Sequence, residues 1–404
     1  MRPWGLVALL AGTATASYLA RVNVSVAGAL MREELALDPA AMGRVFSAFL
    51  LGYALCQVPA GMLADRFGAR RVLALASLSW VVALAAMAFV PAAAALPLLL
   101  GFRLLLGVGE APTFPAAAQA ISRHIPPEAR GRANGLVVAA IGLGSAIAPP
   151  FVGAVMVRFG WRAAIAASAL PALAVGLGWL AVRRMPPELG SDDGRREAAP
   201  AGGAGRAPRP SPFRSRSFAL LTASYTLQGY VGYIFVFWFY LYLVDVRGFG
   251  LLRGALLSSL PWILSIVSIP AGGAVSDALV KRLGEARGRR VVPMAGLIGG
   301  SAFIAVGAHT ANAYVAAVCL ALATALVLSV EGPFWATMTE LAGPRSGAAG
   351  GVMNMGSNLG GLVSPALTPV LAAAIGWERA LHVAAALAVA GGLLWLGIAP
   401  PEEA

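Results

Sequence analysis

The chain has 404 residues and a formal net charge of +12 at pH 7, and 59% of its residues are hydrophobic while only 12% are charged. In soluble globular domains about a quarter of the residues are charged, so this composition leaves too little polar surface for a soluble protein. The sequence therefore predicts an all-α polytopic membrane protein.

The apolar residues fall into twelve segments of roughly 20 residues, and each is long enough to cross about 30 Å of hydrocarbon. The predicted transmembrane helices are 4–30, 41–64, 72–91, 96–122, 133–158, 161–182, 218–244, 254–280, 291–308, 312–339, 347–375 and 380–399.

A long polar interruption divides these helices into two groups of six. Residues 183–217 are rich in Pro, Gly, Ala and Arg and have no apolar periodicity, which predicts a disordered cytoplasmic linker. We expect one six-helix bundle in residues 1–182 and a second in residues 218–404.

The two groups of helices also resemble each other in sequence. Pro59, Ala60, Gly61 and Asp65 of the first group recur in the second as Pro270, Ala271, Gly272 and Asp277. Pro149, Gly160 and Trp161 recur as Pro365, Gly376 and Trp377. Because the matches occur in the same order, we expect two pseudo-symmetric bundles. Parallel repeats of this kind place a binding site between the halves, near the middle of the bilayer.

The positive charge is explained by membrane orientation and not by a nucleic-acid partner. Most of the 30 Lys and Arg residues fall in alternate connections, on the side that carries both termini. This asymmetry follows the positive-inside rule. We therefore predict a multi-pass protein of the plasma (inner) membrane, surrounded by lipid, with both termini cytoplasmic.

The first two predicted helices carry polar residues within apolar sequence. Arg21 in the first helix is a buried cation. The second helix begins at Asp38 followed by Pro39, a pairing that is typical of a helix N-terminus. Tyr53 and Gln57 are four residues apart and therefore share one face. That face either lines a cavity or forms hydrogen bonds with a neighbouring backbone.

The connection between the second and third helices reads GMLADRFGARR. We expect its glycines to allow close helix approach and its charged residues to form a latch. A basic inner loop is the alternative, but it explains only the arginines. A weaker copy, GGAVSDALVKR, follows the eighth helix. The loop resembles the short cytoplasmic signature of the major facilitator superfamily, and this resemblance implies a role in conformational switching for Gly61, Asp65, Arg66, Gly68, Arg70 and Asp277.

The fourth predicted helix contains two charges in the run GFRLLLGVGEAPTFP. Seven residues at about 100° each bring Arg103 and Glu110 to within about 20° of one face, with about 10 Å of helix rise between them. A single Arg at a helix centre costs roughly 3 kcal/mol, so intramembrane charges face a partner or a water-filled path. The alternative is that Arg103 snorkels to the interface while Glu110 braces a neighbouring helix.

Further candidates lie in the second half of the chain. In the seventh helix, Gln228 and Tyr233 offer hydrogen-bond donors beside a cluster of aromatic residues that favours packing. In the tenth helix, Gly332 and Pro333 can break the helix and free backbone groups toward a cavity. Glu331, just before them, is a second candidate buried carboxylate.

Other classes of site are not supported. The three histidines have no metal-ligand partner at usable spacing, and the chain has neither a phosphate-binding Gly-Lys-Ser/Thr loop nor a nucleophile elbow. We predict no metal, no cofactor and no enzymatic activity.

Taken together, these motifs resemble known transporters. The GMLADRFGARR loop is similar to the cytoplasmic signature of the major facilitator superfamily. A narrower resemblance, to the anion:cation symporter family, is carried by RVNVSVA in the first helix, by the Arg103 and Glu110 pair with FPA after it, and by NMGSNLGGLVSPAL in the eleventh helix. That family includes bacterial sugar-acid transporters and animal vesicular glutamate and sialic-acid carriers.

The resemblance implies a role for each matching residue. Arginines at the positions of Arg21 and Arg103 bind the substrate carboxylate, and the glutamate at Glu110 takes part in proton coupling. Positions Tyr53, Asn354 and Asn358 match further polar residues of the family site. The chain departs from the family at Ala20, where many members have Asp, and at FWFY (237–240), where a Thr-Trp-Leu-Pro-like run is usual. These departures leave the proton count and the substrate open.

The predicted function is proton-coupled symport of a small organic anion, a carboxylate or sugar acid, by a carrier that works as a monomer. One alternative is a proton-coupled exporter of drugs or metabolites. Another is a membrane sensor or scaffold that keeps the fold without transport. Sodium coupling in place of protons stays open, as does the direction of transport.

Overall fold

The structure is a computed structural model that describes residues 1–187 and 212–399. The predicted linker, 183–217, lies mostly outside the described residues, so its disorder stays a prediction, as do the bundle boundaries. Within the described ranges the regular structure is entirely helical.

The helices of the first half follow one another with short connections. They are α1 (Pro3–Glu34), α2 (Pro39–Phe67), α3 (Ala69–Ala88), α4 (Ala95–Glu110), α5 (Thr113–His124), α6 (Pro127–Ala167) and α7 (Ala169–Ala181). As predicted, Asp38 caps α2, because its side chain accepts a hydrogen bond of 2.6 Å from the backbone N–H of Ala41.

The second half repeats this arrangement with more interruptions. Its helices are α8 (Arg216–Phe237), α9 (Phe239–Leu241) with a π-helical turn at Tyr242–Val246, α10 (Leu251–Ser258), α11 (Leu260–Leu283), α12 (Glu285–His309), α13 (Ala313–Ser329), α14 (Glu331–Ala342), α15 (Ser346–Ile375) and α16 (Trp377–Leu394).

These helices provide twelve membrane crossings. In the described ranges, ten helices are long and apolar enough to cross a bilayer, and an eleventh is obtained when α8 is joined to Phe239–Val246, which is bent from it by 53°. One of the ten, Ala129–Ala181, has 53 residues, more than twice the length one crossing needs. The backbone leaves helical geometry at Gly160 (φ 81°, ψ 168°), so this stretch is two crossings. The predicted twelve-helix fold of two pseudo-symmetric bundles is confirmed.

Glycines with positive φ mark equivalent turns in the two halves. Gly68 and Gly284 follow the second and eighth crossings, and Gly160 and Gly376 follow the fifth and eleventh. The members of each pair are separated by the same number of residues. Their φ values of 78° to 86° are strained for residues with a Cβ atom. The repeat in the sequence is therefore also a repeat in backbone conformation.

Several predicted continuous helices are broken near their middle. The fourth crossing is interrupted between α4 and α5, the seventh at Trp238, and the tenth at Val330, between α13 and α14. The predicted break at Gly332 and Pro333 therefore lies slightly earlier in the chain. Interruptions of this kind are tolerated in membranes where protein neighbours satisfy the freed backbone groups.

Close contacts between the two halves lie toward the end opposite the termini. The Ser47 hydroxyl donates to the backbone carbonyl of Leu362 at 2.7 Å. The Phe46 ring stacks on Phe237 with centroids 4.9 Å apart. Arg32, at the end of α1, forms an ion pair with Asp245 in the π-helical turn. The two bundles are thus joined at this end by packing, a hydrogen bond and a charge pair.

Candidate functional site

Two arginines and one glutamate lie buried together inside the first half. Arg21 on α1 is 2% exposed, while Arg103 and Glu110 on α4 are fully buried. The Arg21 Nη2 donates to Glu110 Oε2 at 3.2 Å, and the hydroxyl of Ser17 donates to the same oxygen at 2.8 Å. The pairing of helices α1 and α4 therefore gives Glu110 a cationic partner.

Arg103 does not pair with Glu110, although both lie on one face of α4. One Arg103 nitrogen, Nη2, donates to the backbone carbonyl of Arg21 at 3.4 Å. The other two, Nε and Nη1, have no hydrogen-bond partner among the described residues. A buried guanidinium normally has its donors satisfied, because an unpaired buried charge is costly. Arg103 thus offers the N–H groups of two nitrogens to an acceptor.

Aromatic rings surround the two guanidinium groups. The Arg21 Cζ lies 4.4 Å from the centroid of the Tyr18 ring, 4.7 Å from that of Tyr53 and 4.9 Å from that of Phe49. The Arg103 Cζ lies 4.9 Å from the same Phe49 ring. Such cation–π contacts stabilise a desolvated cation. Phe49 therefore holds the two arginines next to each other.

Glycines position Phe49 by allowing α2 and α4 to touch. A Cβ added at Gly107 would clash with the backbone carbonyl oxygen of Phe49, and one added at Gly52 would clash with that of Leu104. In membranes, small residues of this kind let helix backbones approach closely. Any side chain at these two positions would separate the Phe49 ring from Arg103.

The second half contributes polar side chains that face this cluster. The hydroxyl of Tyr233 donates to Asn358 Oδ1 at 3.5 Å, and its ring stacks on Phe237, which stacks on Phe46 of α2. The predicted candidates Tyr53, Tyr233 and Asn358 are therefore brought toward one region. Asn354 lies on α15 four residues before Asn358. Its side-chain amide donates to Gln57 Oε1 of the first half at 3.3 Å.

Gln228 does not lie with the arginines. Its Nε2 donates to Glu331 Oε1 at 3.0 Å, and the hydroxyl of Tyr225 donates to Glu331 Oε2 at 2.7 Å. These three residues form a separate group between α8 and α14. The predicted candidate Gln228 thus belongs to the surroundings of a second carboxylate.

The residues assigned to switching lie at the end that carries the termini. Asp65 accepts a hydrogen bond of 2.9 Å from the Gln119 amide, and Arg70 donates to the backbone carbonyl of Trp179. The guanidinium of Arg66 lies over the ring of the next residue in the chain. In this conformation the first loop is therefore tied to its own half.

The copy of this loop in the second half forms a stronger charge network. Arg289 donates to Asp277 at 2.6 Å and to Glu340 at 2.6 Å. It joins α11, α12 and α14 at the end that carries the termini.

The glycines of the first loop do not act as predicted. A Cβ added at Gly61 would lie 3.6 Å from the Pro115 Cβ, an ordinary van der Waals contact, and one added at Gly68 would meet nothing within 4 Å. Gly68 instead has φ +80°, so it forms the turn between α2 and α3. The predicted close helix approach is not found at these glycines: the turn requires glycine at Gly68, and neither the turn nor the packing requires it at Gly61.

Sequence reasoning missed four residues of these clusters: Ser17, Tyr18, Phe49 and Tyr225. All four had a signal in their spacing. Ser17 and Tyr18 precede Arg21 by four and three residues, and Phe49 precedes Tyr53 by four, so each shares a helix face with a residue already identified. Tyr225 precedes Gln228 by three residues and follows the same rule.

The sequence of this chain is similar to those of known transporters. The sequence profile of the Major Facilitator Superfamily matches residues 10–365. The chain is 34% identical over 393 residues to the "Probable sulfoacetate transporter SauU" of Cupriavidus necator, covering 95% of this chain and 91% of that protein. It is 27% identical to the "Hexuronate transporter" of Bacillus subtilis, covering 93% and 90%.

Solved structures share the fold at lower sequence identity. The chain superimposes with a TM-score of 0.80 on the inward-facing, unoccupied crystal structure of a bacterial homolog of the human lysosomal transporter Spinster. The two sequences are 18% identical, and the alignment covers 98% of each chain.

Proposed function

The chain belongs to the Major Facilitator Superfamily, and on that basis we propose that it couples transport of a small organic anion, a carboxylate or sugar acid, to protons by alternating access. The predicted resemblance to organic-anion symporters is confirmed, since its relatives include transporters named for sulfoacetate, hexuronates and galactarate or glucarate. Membership also means that the protein is a transporter and not an enzyme.

The observation that carries this proposal is the unequal pairing of the two arginines. Arg21 has an anionic partner in Glu110, whereas two nitrogens of Arg103 have no acceptor among the described residues. A guanidinium presents its donors in a planar fork that matches a carboxylate. In our proposal the substrate carboxylate binds Arg103 and draws Arg21 away from Glu110.

Glu110 is the proposed proton carrier. While it pairs with Arg21 and accepts from Ser17, its ionised form is stabilised. When substrate takes over Arg21, the same carboxylate is left buried without its counter-charge, which favours the protonated form. Substrate and proton binding would then support each other, as symport requires.

The other parts of the proposal follow from the charge pattern and the fold. We propose cytoplasmic termini in a plasma (inner) membrane, because the basic residues lie on the side of the termini. We propose that Tyr53, Tyr233 and Asn358 line the substrate path, and that Asn354 contacts Gln57 in one state only. A monomer is sufficient, since both halves of the site lie in one chain.

Uptake into proteoliposomes tests this function. The purified protein is reconstituted, and sulfoacetate, glucuronate and galactarate are each offered with and without an imposed pH gradient. We expect at least one of these acids to accumulate only when the outside is acidic. Accumulation without a pH gradient, or of none of the three acids, would contradict the proposal.

The variant Glu110→Gln separates coupling from binding. Glutamine keeps the size and hydrogen-bonding groups of the side chain but does not bind a proton. We expect exchange of internal for external substrate to continue, while accumulation driven by the pH gradient falls well below the wild-type level. Unchanged pH-driven uptake in this variant would rule out Glu110 as the proton carrier.

An exporter of drugs or metabolites is the second candidate from the same superfamily. Two fully buried guanidinium groups favour an anionic cargo and disfavour cationic drugs. Reversing the imposed pH gradient in the same liposomes distinguishes export from uptake. A sensor without transport is disfavoured by the two unpartnered nitrogens of Arg103, and it predicts binding without flux.

A further inference from the structure

The second half contains a carboxylate to which the proposed mechanism gives no role. Glu331 is the first residue of α14, directly after the break at Val330, and it is half-buried. Placing an ionisable side chain within a membrane segment costs free energy, so each such residue is a candidate functional residue. Here the hypothesis can be examined through the contacts of the carboxylate.

Both oxygens of Glu331 accept hydrogen bonds from neutral groups. The Tyr225 hydroxyl lies 2.7 Å from Oε2, and Gln228 Nε2 lies 3.0 Å from Oε1. No Lys or Arg forms an ion pair with Glu331 in the described part of the chain. This differs from Glu110, whose partner Arg21 is charged.

Charged groups on the helices packed against α14 are engaged elsewhere or distant. On α12, Arg289 binds Glu340 and Asp277, and Glu340 lies nine residues beyond Glu331, about 13 Å along the helix. On α11, Gly273 packs against Gly332, whereas Lys281 and Arg282 lie at least eight residues further on, about 12 Å along the helix. On α8, the titratable group bound to Glu331 is Tyr225. The sequence of α15 contains no charged residue. Ionised Glu331 therefore has no nearby cation.

The partners of Glu331 suit a group that changes its charge. A tyrosine hydroxyl can donate or accept, and a glutamine amide can rotate to present either its oxygen or its NH₂ group. When a proton binds one oxygen of Glu331, the new O–H can donate to the Tyr225 oxygen or to the rotated Gln228 amide. Neutralisation then needs no movement of a helix.

Tyr233 connects this carboxylate to the arginine cluster. It lies on α8 five residues after Gln228, which binds Glu331. Its ring stacks on Phe237, and Phe237 stacks on Phe46 of α2, three residues before Phe49. The Glu331 group and the arginine cluster are therefore linked through α8 and its aromatic contacts with α2. We propose that Glu331 is a second proton-binding carboxylate of the transport site. Its part in transport rests on the proposed function, but its proton binding does not.

Infrared titration tests the proton binding directly. The spectrum of the purified protein is recorded against pH in the carbonyl-stretch region of protonated carboxylic acids. We expect Glu331→Gln to lose part of the band that appears on acidification in the wild type, and Glu331→Asp to retain it. Glu340→Gln is the matched control on the same helix, since Glu340 pairs with Arg289 and not with Tyr225 and Gln228, and we expect it to retain the part of the band that Glu331→Gln loses.

Transport gives the second readout. From the pH gradient that just balances the substrate gradient at zero membrane potential, the number of protons per substrate is obtained for wild type and variant. We expect Glu331→Gln to halve this number, from two to one, while substrate exchange continues.

The two readouts separate the two proposals. An identical titrating band in wild type and Glu331→Gln would overturn the role of Glu331, whatever is found for transport. A band lost in Glu331→Gln together with no flux in the wild type would support the proton site and contradict the proposed function. An unchanged proton number with a lost band would overturn the part of Glu331 in coupling.

Discussion

At the scale of single residues, the two arginines of the site have different surroundings. Arg21 is held by Glu110 and by three aromatic rings, whereas Arg103 makes one hydrogen bond of 3.4 Å and one ring contact. Arg103 therefore has the greater need for an external acceptor. We therefore expect Arg103 to contribute more to substrate affinity than Arg21.

The variant Arg103→Lys keeps the charge and removes the planar fork. Hydrogen bonds to charged groups contribute about 1.5–3 kcal/mol, so losing one should weaken substrate affinity by about ten- to a hundredfold. The measurement is the substrate concentration for half-maximal exchange in liposomes. The exposed Arg44 on α2 is the control, and Arg44→Lys should exchange like the wild type. An unchanged affinity in Arg103→Lys would show that the fork does not bind substrate.

At the scale of helices, the approach of α2 to α4 places Phe49 beneath both guanidinium groups. The contact depends on glycine at Gly107, where an added Cβ would clash with backbone. Gly101 lies on the same helix, but a Cβ added there would meet nothing within 4 Å. Helix α4 thus has one glycine, Gly107, at which an added Cβ would clash and another, Gly101, at which it would not.

The substitution Gly107→Ala should therefore lower stability and affinity together. Overpacking of this kind costs about 1–3 kcal/mol, and it moves Phe49 away from Arg103. Thermal unfolding in detergent and substrate exchange are the two measurements, with Gly101→Ala as control. Equal losses in both variants would mean that the helix backbone, and not the contact with α2, is sensitive to the change.

At the scale of the whole molecule, the two halves are closed against each other at the end opposite the termini. The Arg32–Asp245 pair joins α1 to the π-helical turn that follows α9. A π-helical segment often marks a functional site, and the crossing it belongs to is bent by 53°. Alternating access would require this pair to separate once in each cycle.

Neutralising the pair should favour the conformation open at that end. In Asp245→Asn we expect faster labelling of cysteines introduced at contact positions between the halves, such as the half-buried Ser47 changed to Cys (Ser47→Cys), in a background without the native cysteines. The charge-reversed double variant Arg32→Asp/Asp245→Arg should return labelling toward the wild-type rate. If the double variant labels as fast as Asp245→Asn, the pair does not control closure.

Local spacing and composition were enough to predict twelve membrane crossings and to place Arg103 and Glu110 on one face of a helix. The partners of these groups could not be predicted in the same way, because they depend on the rotation and separation of neighbouring helices in the folded protein. Glu110 pairs with Arg21, although Arg103 shares its helix face. Likewise Gln228 binds Glu331, because α8 packs there against α14 and carries Gln228 away from the arginines.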